Sequence, residues 1–142
     1  MERPGKGIPM KEGMSAPEFR RRPNARLKAR PARNQLPRVE ELAGLIGWDQ
    51  EGRFADGFVG QFRQTLLNTV AILKEADARP EHIVRMTWYV VDRDLYLASL
   101  KELGAAYREV IGPVYPAMAV VQVVSLMEPD ALIEIETTAV RP

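Results

Sequence analysis

Residues 57–78, GFVGQFRQTLLNTVAILKEADA, carry their large apolar side chains at every third or fourth position. This spacing predicts an amphipathic helix of about five turns, which Asp56 can cap. A helix with one apolar face must pack that face against another layer of the protein. The segment therefore predicts a layered domain with the helix on its surface. The apolar positions are Val59, Phe62, Leu66, Val70 and Leu73.

Four other segments favour β-strands, which would form the second layer. HIVRMTWYVVD, residues 82–92, is dense in β-branched and aromatic residues and predicts a largely buried strand. ALIEIETTAV, residues 131–140, alternates isoleucine with glutamate, as a strand with two different faces does. PVYPAMAVVQVVSL, residues 113–126, predicts an apolar strand, and LAGLIGWDQEGRFADG, residues 42–57, a strand end and a turn.

Residues 94–112, DLYLASLKELGAAYREVIG, predict a second helix that begins at Asp92 or Asp94 and ends at Gly112 and Pro113. The order of elements is then strand, helix, strand, helix, strand, strand. We predict an α+β domain whose mixed sheet carries both helices on one face. The second face of the sheet, away from the helices, carries Glu134 and Glu136 on the final strand, whereas the strands at residues 86–91 and 120–124 look apolar on both sides. Because an apolar sheet face suits a subunit interface better than open water, we expect a homo-oligomer.

Composition limits the class of protein. The chain has 142 residues, 46% of them hydrophobic, which fits one domain. It contains no cysteine, which excludes disulfides and thiolate chemistry and suits a reducing compartment. It also has no apolar run of the roughly 20 residues that a membrane helix needs. We expect a cytoplasmic protein with no membrane partner.

Charge divides the chain into two parts. Residues 1–38 contain 11 Lys and Arg against 3 Asp and Glu, whereas residues 39–142 contain 9 against 16. The first part has no sustained helical or strand period, and residues 27–42 make a poor strand sequence. We predict a loosely ordered basic arm, 1–38, followed by one domain, 39–142. The arm could touch RNA phosphates, but without interleaved aromatic residues nucleic acid is not the expected partner.

Five stretches of the chain resemble the Rid/YjgF family of reactive-intermediate, or enamine/imine, deaminases. The resemblance implies a chorismate-mutase-like fold and a homotrimer whose sheets form a barrel, with ligand clefts between subunits. It also implies hydrolysis of 2-imino acids to 2-oxo acids and ammonia, without a metal or another cofactor. The stretches, in the family's order, are AGLIGWD, QFRQTLLNTVAILKEADARPEHIVRMTWYVVD, LGAAYREVIG, YPAMAVVQVVSL and ALIEIETTAV.

The resemblance also assigns candidate site residues. The first Glu of the final IEIE motif, Glu134, matches the family's catalytic carboxylate. Met118 stands where the family has an arginine that clamps the substrate carboxylate, and a thioether cannot form that charge-assisted pair. Ala43, Gly44 and Leu45 replace the family's Ser-Gly-Gln. Gln122, on the same side of its strand as Met118, is a further candidate substrate contact, although the residue pattern favours a structural hydrogen bond over that role.

Three functions remain open from the sequence. The first is an imine or enamine deaminase of altered specificity, in which Arg85 or Arg108 replaces the missing clamp or the substrate lacks a carboxylate. The second is a binder of a small metabolite that does no chemistry. The third is an RNA-associated protein that uses the basic arm. A metal site is not expected, because His82 is the one histidine and there is no cysteine.

Overall fold

The computed structural model describes residues 37–142. The predicted basic arm, residues 1–38, lies outside the described residues except for its last two positions. The elements are four strands, three α-helices and one 3-10 turn. In chain order they are β1 (Arg38–Ile46), α1 (Gly57–Glu75), the 3-10 turn (Pro80–His82), β2 (Ile83–Val90), α2 (Arg93–Ala98), α3 (Leu100–Val110), β3 (Ala117–Gln122) and β4 (Ile133–Arg141).

The strands form one mixed sheet in the order β1-β4-β2-β3. Strand β4 runs antiparallel to both of its neighbours, and β2 runs parallel to β3. The parallel connection requires a crossover, which α2 and α3 supply. The predicted α+β class with a mixed sheet is therefore confirmed.

The core lies between one face of the sheet and the helices, as the apolar stripe of α1 predicts. Phe62, Leu66 and Leu73 of α1 are fully buried, and Phe62 packs edge-to-face on Trp88 of β2 with ring centroids 4.7 Å apart. Tyr107 of α3 adds a third ring, 6.1 Å from Trp88. Among residues 37–142, no helix is long and apolar enough to cross a membrane.

Strand β1 begins earlier than its sequence suggests. Residues 38–42, expected to be a poor strand, pair in register with the end of β4. Two side-chain contacts offset the weak β-propensity of this polar stretch. Arg141 donates to Glu40 at 3.3 Å within a pair that is less than one-fifth exposed, and Thr138 donates to Glu41 at 3.1 Å.

The predicted second helix is two helices rather than one. Asp92 caps α2 by accepting from the backbone N–H of Leu95 at 2.9 Å, but α2 ends after six residues. Ser99 separates it from α3, and the apolar face of α3 begins with Leu103. Gly112 ends α3 with φ at +86°, as the Gly-Pro pair predicts.

The face of the sheet that points away from the helices, called here the outer face, is more polar than the sequence suggests. Strand β2 was expected to be apolar on both sides, yet its outward positions are Arg85, Thr87 and Tyr89. In HIVRMTWYVVD, therefore, the alternation of polar and apolar residues predicts the two faces of β2 better than the overall hydrophobicity of the segment does. The argument for an oligomer from an apolar outer face is correspondingly weaker. Large exposed apolar residues lie instead on β3 and the loop after it, at Val121, Val124 and Met127, and on α2 and the start of α3, at Leu95, Leu97 and Leu100.

Candidate functional site

The outer face carries an ordered array of polar side chains on three neighbouring strands. Register alone sets the array, because residues directly opposite each other in adjacent strands project to the same face. One row joins Glu41, Thr138 and Arg85, and the next joins Glu136 and Thr87. A third row joins Glu134 and Tyr89. Three carboxylates and one guanidinium thus share one surface.

Glu134 lies directly over Gly44. The pairing of β1 with β4 is irregular between Leu42 and Leu45, which is where Gly44 sits. A Cβ atom added at position 44 would collide with the Oε1 atom of Glu134, so the absent side chain is what makes room for the carboxylate. Two candidate residues that are 90 positions apart in the chain are therefore in contact.

Tyr89 is tied to the second glutamate of the IEIE motif. Its phenol donates to Oε2 of Glu136 at 3.0 Å. This hydrogen bond, with the nearby charge of Glu134, raises the pKa of Tyr89 above its usual range, because loss of the phenolic proton would place a third negative charge beside the two carboxylates. Tyr89 therefore stays protonated and acts as a hydrogen-bond donor on this face.

A cavity of about 260 Å³ opens on the outer face, and Glu136, not Glu134, is the residue of the IEIE motif in its lining. Arg85 supplies the one cationic side chain in its lining, and its guanidinium forms no hydrogen bond or ion pair with any residue between 37 and 142. Ala43, one of the predicted substrate contacts, is in the lining, next in sequence to Gly44. The lining residues are Glu41, Leu42, Ala43, Arg85, Thr87, Glu136 and Thr138.

Met118 and Gln122 lie elsewhere in the single chain. Met118 pairs with Met86, and Gln122 pairs with Val90. The side chains of Met86 and Val90 are buried against the helices. Met118 and Gln122 therefore project from the helix side of the sheet, opposite to Glu134. Met118 is 46% exposed at the edge of the sheet. Gln122 donates to the carbonyl of Val91 at 3.4 Å, which favours the structural role over ligand contact.

The other candidates have structural partners. Leu45 is partly buried and packs against the hydrophobic core. His82 accepts from the backbone N–H of Arg79 through Nδ1 at 3.1 Å, which closes the 3-10 turn. Within the described part of the chain, no group of three or more His, Cys, Asp or Glu side chains could hold a metal ion.

Gln61 of α1 holds the loop that leads into β4 and so helps to position Glu134. Its side-chain amide donates to the carbonyl of Asp130 at 2.9 Å and accepts from the backbone N–H of Leu132 at 2.8 Å. Gln61 is itself buried, so both contacts are shielded from water. The backbone two residues before Glu134 is therefore fixed to the core helix.

Thr87, Tyr89 and Glu136 are among the polar outer-face residues that the sequence analysis did not assign to the site. Arg85 was named as an alternative clamp, but Arg108, the other alternative, lies on α3 with its guanidinium folded over Gly104. The sequence signal that could have identified the β2 residues is strand alternation. Positions 85, 87 and 89 alternate with the buried Met86, Trp88 and Val90, so they face away from the core.

Comparison with known proteins agrees with the fold and the order of these elements. The family model described as endoribonuclease L-PSP matches residues 34–141. A RutC family protein from Aquifex aeolicus is 35% identical over 102 residues, covering 70% of this chain and 78% of the relative.

Two solved structures from Escherichia coli show the same fold. The yjgF gene product superposes with a TM-score of 0.63 at 29% identity, covering 73% of this chain and 81% of the other. TdcF with bound serine superposes with a TM-score of 0.65 at 27% identity, with the same two shares covered. The matched segment contains β1, all three helices and the strand that carries Glu134. By the extent of these matches, this chain belongs to the Rid/YjgF family.

Proposed function

We propose that the domain of residues 39–142 binds small imine or enamine metabolites on the outer face and hydrolyses them at Glu134. The observation that carries the proposal is the contact between Glu134 and Gly44, which holds a carboxylate against a strand with no side chain beneath it. A carboxylate fixed on the sheet face that carries the cavity can accept a proton from a water molecule and place that water next to a bound carbon atom.

The chemistry needs few groups. Water adds to the electrophilic carbon of a protonated imine while Glu134 accepts one of the water protons. Glu134 returns this proton to the nitrogen of the tetrahedral adduct, and the C–N bond then breaks. As the carbonyl forms, the hydroxyl proton of the adduct passes to Glu134 and from there to the departing amine, so a carbonyl compound and an ammonium ion leave and Glu134 is a carboxylate again. No electrons are exchanged with a redox partner, so the chain's own residues can supply every proton transfer in this sequence.

The relatives support a small metabolite as the ligand. The TdcF structure contains serine, which shows that an amino acid can be held on a protein of this fold. Met118 at the family's clamp position favours a second candidate for this chain, a binder that does no chemistry. The two candidates separate on turnover, because a pure binder would be stabilised by ligand but would not release ammonia.

We further propose that the chain assembles as a homotrimer, with ligand sites between subunits. Exposed apolar residues on β3 and in the following loop supply surface for such a contact. Light scattering of the full chain should then give about three times the 16.0 kDa mass of one chain. A mass of one or two chains at micromolar concentration would contradict the trimer.

Substitution of Gly44 by alanine should lower turnover with little loss of stability. The new Cβ would meet the flexible tip of Glu134, so the carboxylate should swing aside while the backbone stays in place. Misplacing a catalytic group by about 1 Å can cost about 100-fold in rate. We therefore expect kcat for 2-iminopropanoate, followed through 2-oxo acid release, to fall by at least about tenfold.

Gly104→Ala is the matched control for Gly44→Ala. Position 104 lies on α3, and its added Cβ would approach only the guanidinium end of Arg108, at 3.3 Å. This variant should hydrolyse the substrate at the rate of the natural protein. Equal rates in both variants, with both folded by circular dichroism, would show that the contact between Gly44 and Glu134 has no part in the reaction.

A further inference from the structure

We propose that residues 20–33 of this chain dock on the outer face of its own sheet, over strands β1 and β4. The contact joins cationic side chains of this segment to the carboxylates of Glu41, Glu134 and Glu136. The inference goes beyond the proposed function, because it depends on the charges of the face and not on any reaction there.

The positive charge of the basic arm is concentrated in one segment. Residues 1–19 contain three Lys and Arg against three Asp and Glu, so their side chains carry no net charge. Residues 20–33, RRRPNARLKARPAR, contain seven Lys and Arg and no Asp or Glu. Residues 39–142 contain 9 Lys and Arg against 16 Asp and Glu, so the segment and the domain have opposite net charges and attract each other.

Two carboxylates on the outer face have neutral hydrogen-bond partners. Glu41 accepts from the hydroxyl of Thr138 at 3.1 Å, and Glu136 accepts from the phenol of Tyr89 at 3.0 Å. Glu41 and Glu136 are exposed residues, and these bonds orient their carboxylates without cancelling the charge. Each carboxylate keeps lone pairs for a cationic donor.

Carboxylates on the helices and loops have cationic partners instead. Glu109 of α3 accepts two hydrogen bonds from the guanidinium of Arg63, the shorter at 2.6 Å. Asp49, Glu81 and Asp94 each lie within 4.0 Å of an arginine. One exposed ion pair contributes little, but a segment with seven cations can form several at once on a face whose carboxylates have neutral partners.

The spacing of charges in the segment matches that of the face. Arg26, Lys28 and Arg30 recur at every second position, as Glu134 and Glu136 do on β4. Two residues of extended chain span about 7 Å, so cations and carboxylates recur at the same interval. An extended segment can therefore present successive cations to successive carboxylates.

The segment is also attached close to the face. Arg33 is separated by residues 34–37 from Arg38, where β1 begins, and Glu41 follows three residues later. The chain from Arg33 to Arg38 can span at most about 18 Å, whereas Arg38 and Glu41 are about 10 Å apart along the strand. A chain that reverses at residues 34–37 can thus place Arg33 over Glu41 and the rest of the segment along β1 and β4.

Two features limit where the segment binds. Arg85 on β2 repels a cationic segment, so the β2 side of the cavity, with Arg85 and Thr87, is left open to a ligand. Pro23 and Pro31 lack the N–H that another strand of the sheet would need. The segment therefore binds through its side chains across the face and does not extend the sheet at its edge.

Carbodiimide cross-linking of the full chain tests the proposal, because it joins a lysine amine to a carboxylate in direct contact. Lys28 is the one lysine of the segment, and Lys11 is a matched lysine in the part of the arm without net charge. The cross-linked peptides are identified by mass spectrometry in the band that migrates as a single chain on a denaturing gel. Lys28 should be coupled to the three outer-face glutamates at least about fivefold more often than Lys11 is, because docking raises its effective concentration there. At about 1 M salt, where the Debye length is about 3 Å, this excess should disappear.

Two double variants separate the outer face from the overall charge of the domain. Glu41→Gln with Glu136→Gln keeps both hydrogen-bond acceptors but removes two charges. It should lower the coupling of Lys28 to the third outer-face glutamate at least about fivefold, since the segment is then no longer held there. Glu75→Gln with Glu102→Gln removes the same charge from exposed positions on α1 and α3 and should leave that coupling unchanged. Circular dichroism checks that both variants keep the fold.

Three results would overturn the proposal. Coupling of Lys28 to carboxylates of the helices as often as to the outer face, or no coupling at all, would show that the segment has no preferred surface on its own domain. Coupling found chiefly in the band of two chains would show that the segment binds a second copy. An undiminished coupling in folded Glu41→Gln with Glu136→Gln would show that the charges of this face do not hold the segment.

Discussion

Gly47→Ala should destabilise the protein by about 3 kcal/mol, the upper end of the usual cost of forcing extra volume into a packed interior. Gly47 is buried just after β1, where the chain passes the backbone of α1. A Cβ atom there would lie 2.5 Å from both the Cα atom and the carbonyl oxygen of Gln61. Because these are main-chain atoms, the helix itself must move, and a rotamer change cannot relieve the overlap.

The displacement should reach the candidate site, since Gln61 holds the carbonyl of Asp130 and the N–H of Leu132 just before β4. Urea titration should show the Gly47→Ala midpoint shifted downward with an unchanged slope. Gly60→Ala is the matched control, because its added Cβ would meet the side chain of Ala55 at an ordinary 3.6 Å and alanine favours a helix. We expect Gly60→Ala to stay within about 1 kcal/mol of the natural protein. A Gly47→Ala variant as stable as Gly60→Ala would contradict the close packing of β1 on α1.

Glu134→Gln should reduce kcat for 2-iminopropanoate by about 10²–10⁴-fold, which is the usual contribution of a general base. Glutamine keeps the size and the hydrogen-bonding carbonyl of the glutamate but cannot accept a proton from water at neutral pH. The loss should therefore fall on kcat more than on KM, because the other side chains of the outer face remain.

The control for this variant is Glu102→Gln, which makes the same chemical change on the exposed surface of α3. It should leave both kinetic constants unchanged. If Glu134→Gln retains full kcat while its circular dichroism spectrum matches that of the natural protein, another group accepts the proton and Glu134 is a structural residue of the sheet.

The sequence predicts the layers of the fold well because local periodicity follows burial. The apolar stripe of residues 57–75 gives α1, and the alternation of Ile133 and Ile135 with glutamates gives the two faces of β4. The break at Ser99 was not predicted, because residues 94–112 suit a helix throughout and only tertiary packing separates α2 from α3. The start of β1 was also missed, since its support comes from Glu40 and Arg141, which are distant in sequence.

The candidate site is less predictable, because it depends on register between strands. Sequence resemblance identifies Glu134 and Gly44, and the structure brings them into contact. The roles of Arg85, Tyr89 and Glu136 become visible only when β2 is aligned with β4, which places them beside Thr138, Glu134 and Thr87. Met118, taken from the resemblance as a contact in the same cleft, projects from the other face of its own chain. Its role in a ligand cleft remains a prediction for the assembled protein.

Hydrolysis of 2-iminopropanoate and 2-iminobutanoate by the natural protein tests the central claim most directly. Both imines can be generated in place by an amino-acid oxidase, and the rate of their conversion to 2-oxo acids can be compared with and without the protein. We predict that the natural protein accelerates both reactions in proportion to its concentration, with Met118 unchanged. A rate equal to the background with the natural protein, rising only when Met118 is replaced by arginine, would contradict the account, because it would show that no group of this chain supplies the anchor that the reaction needs.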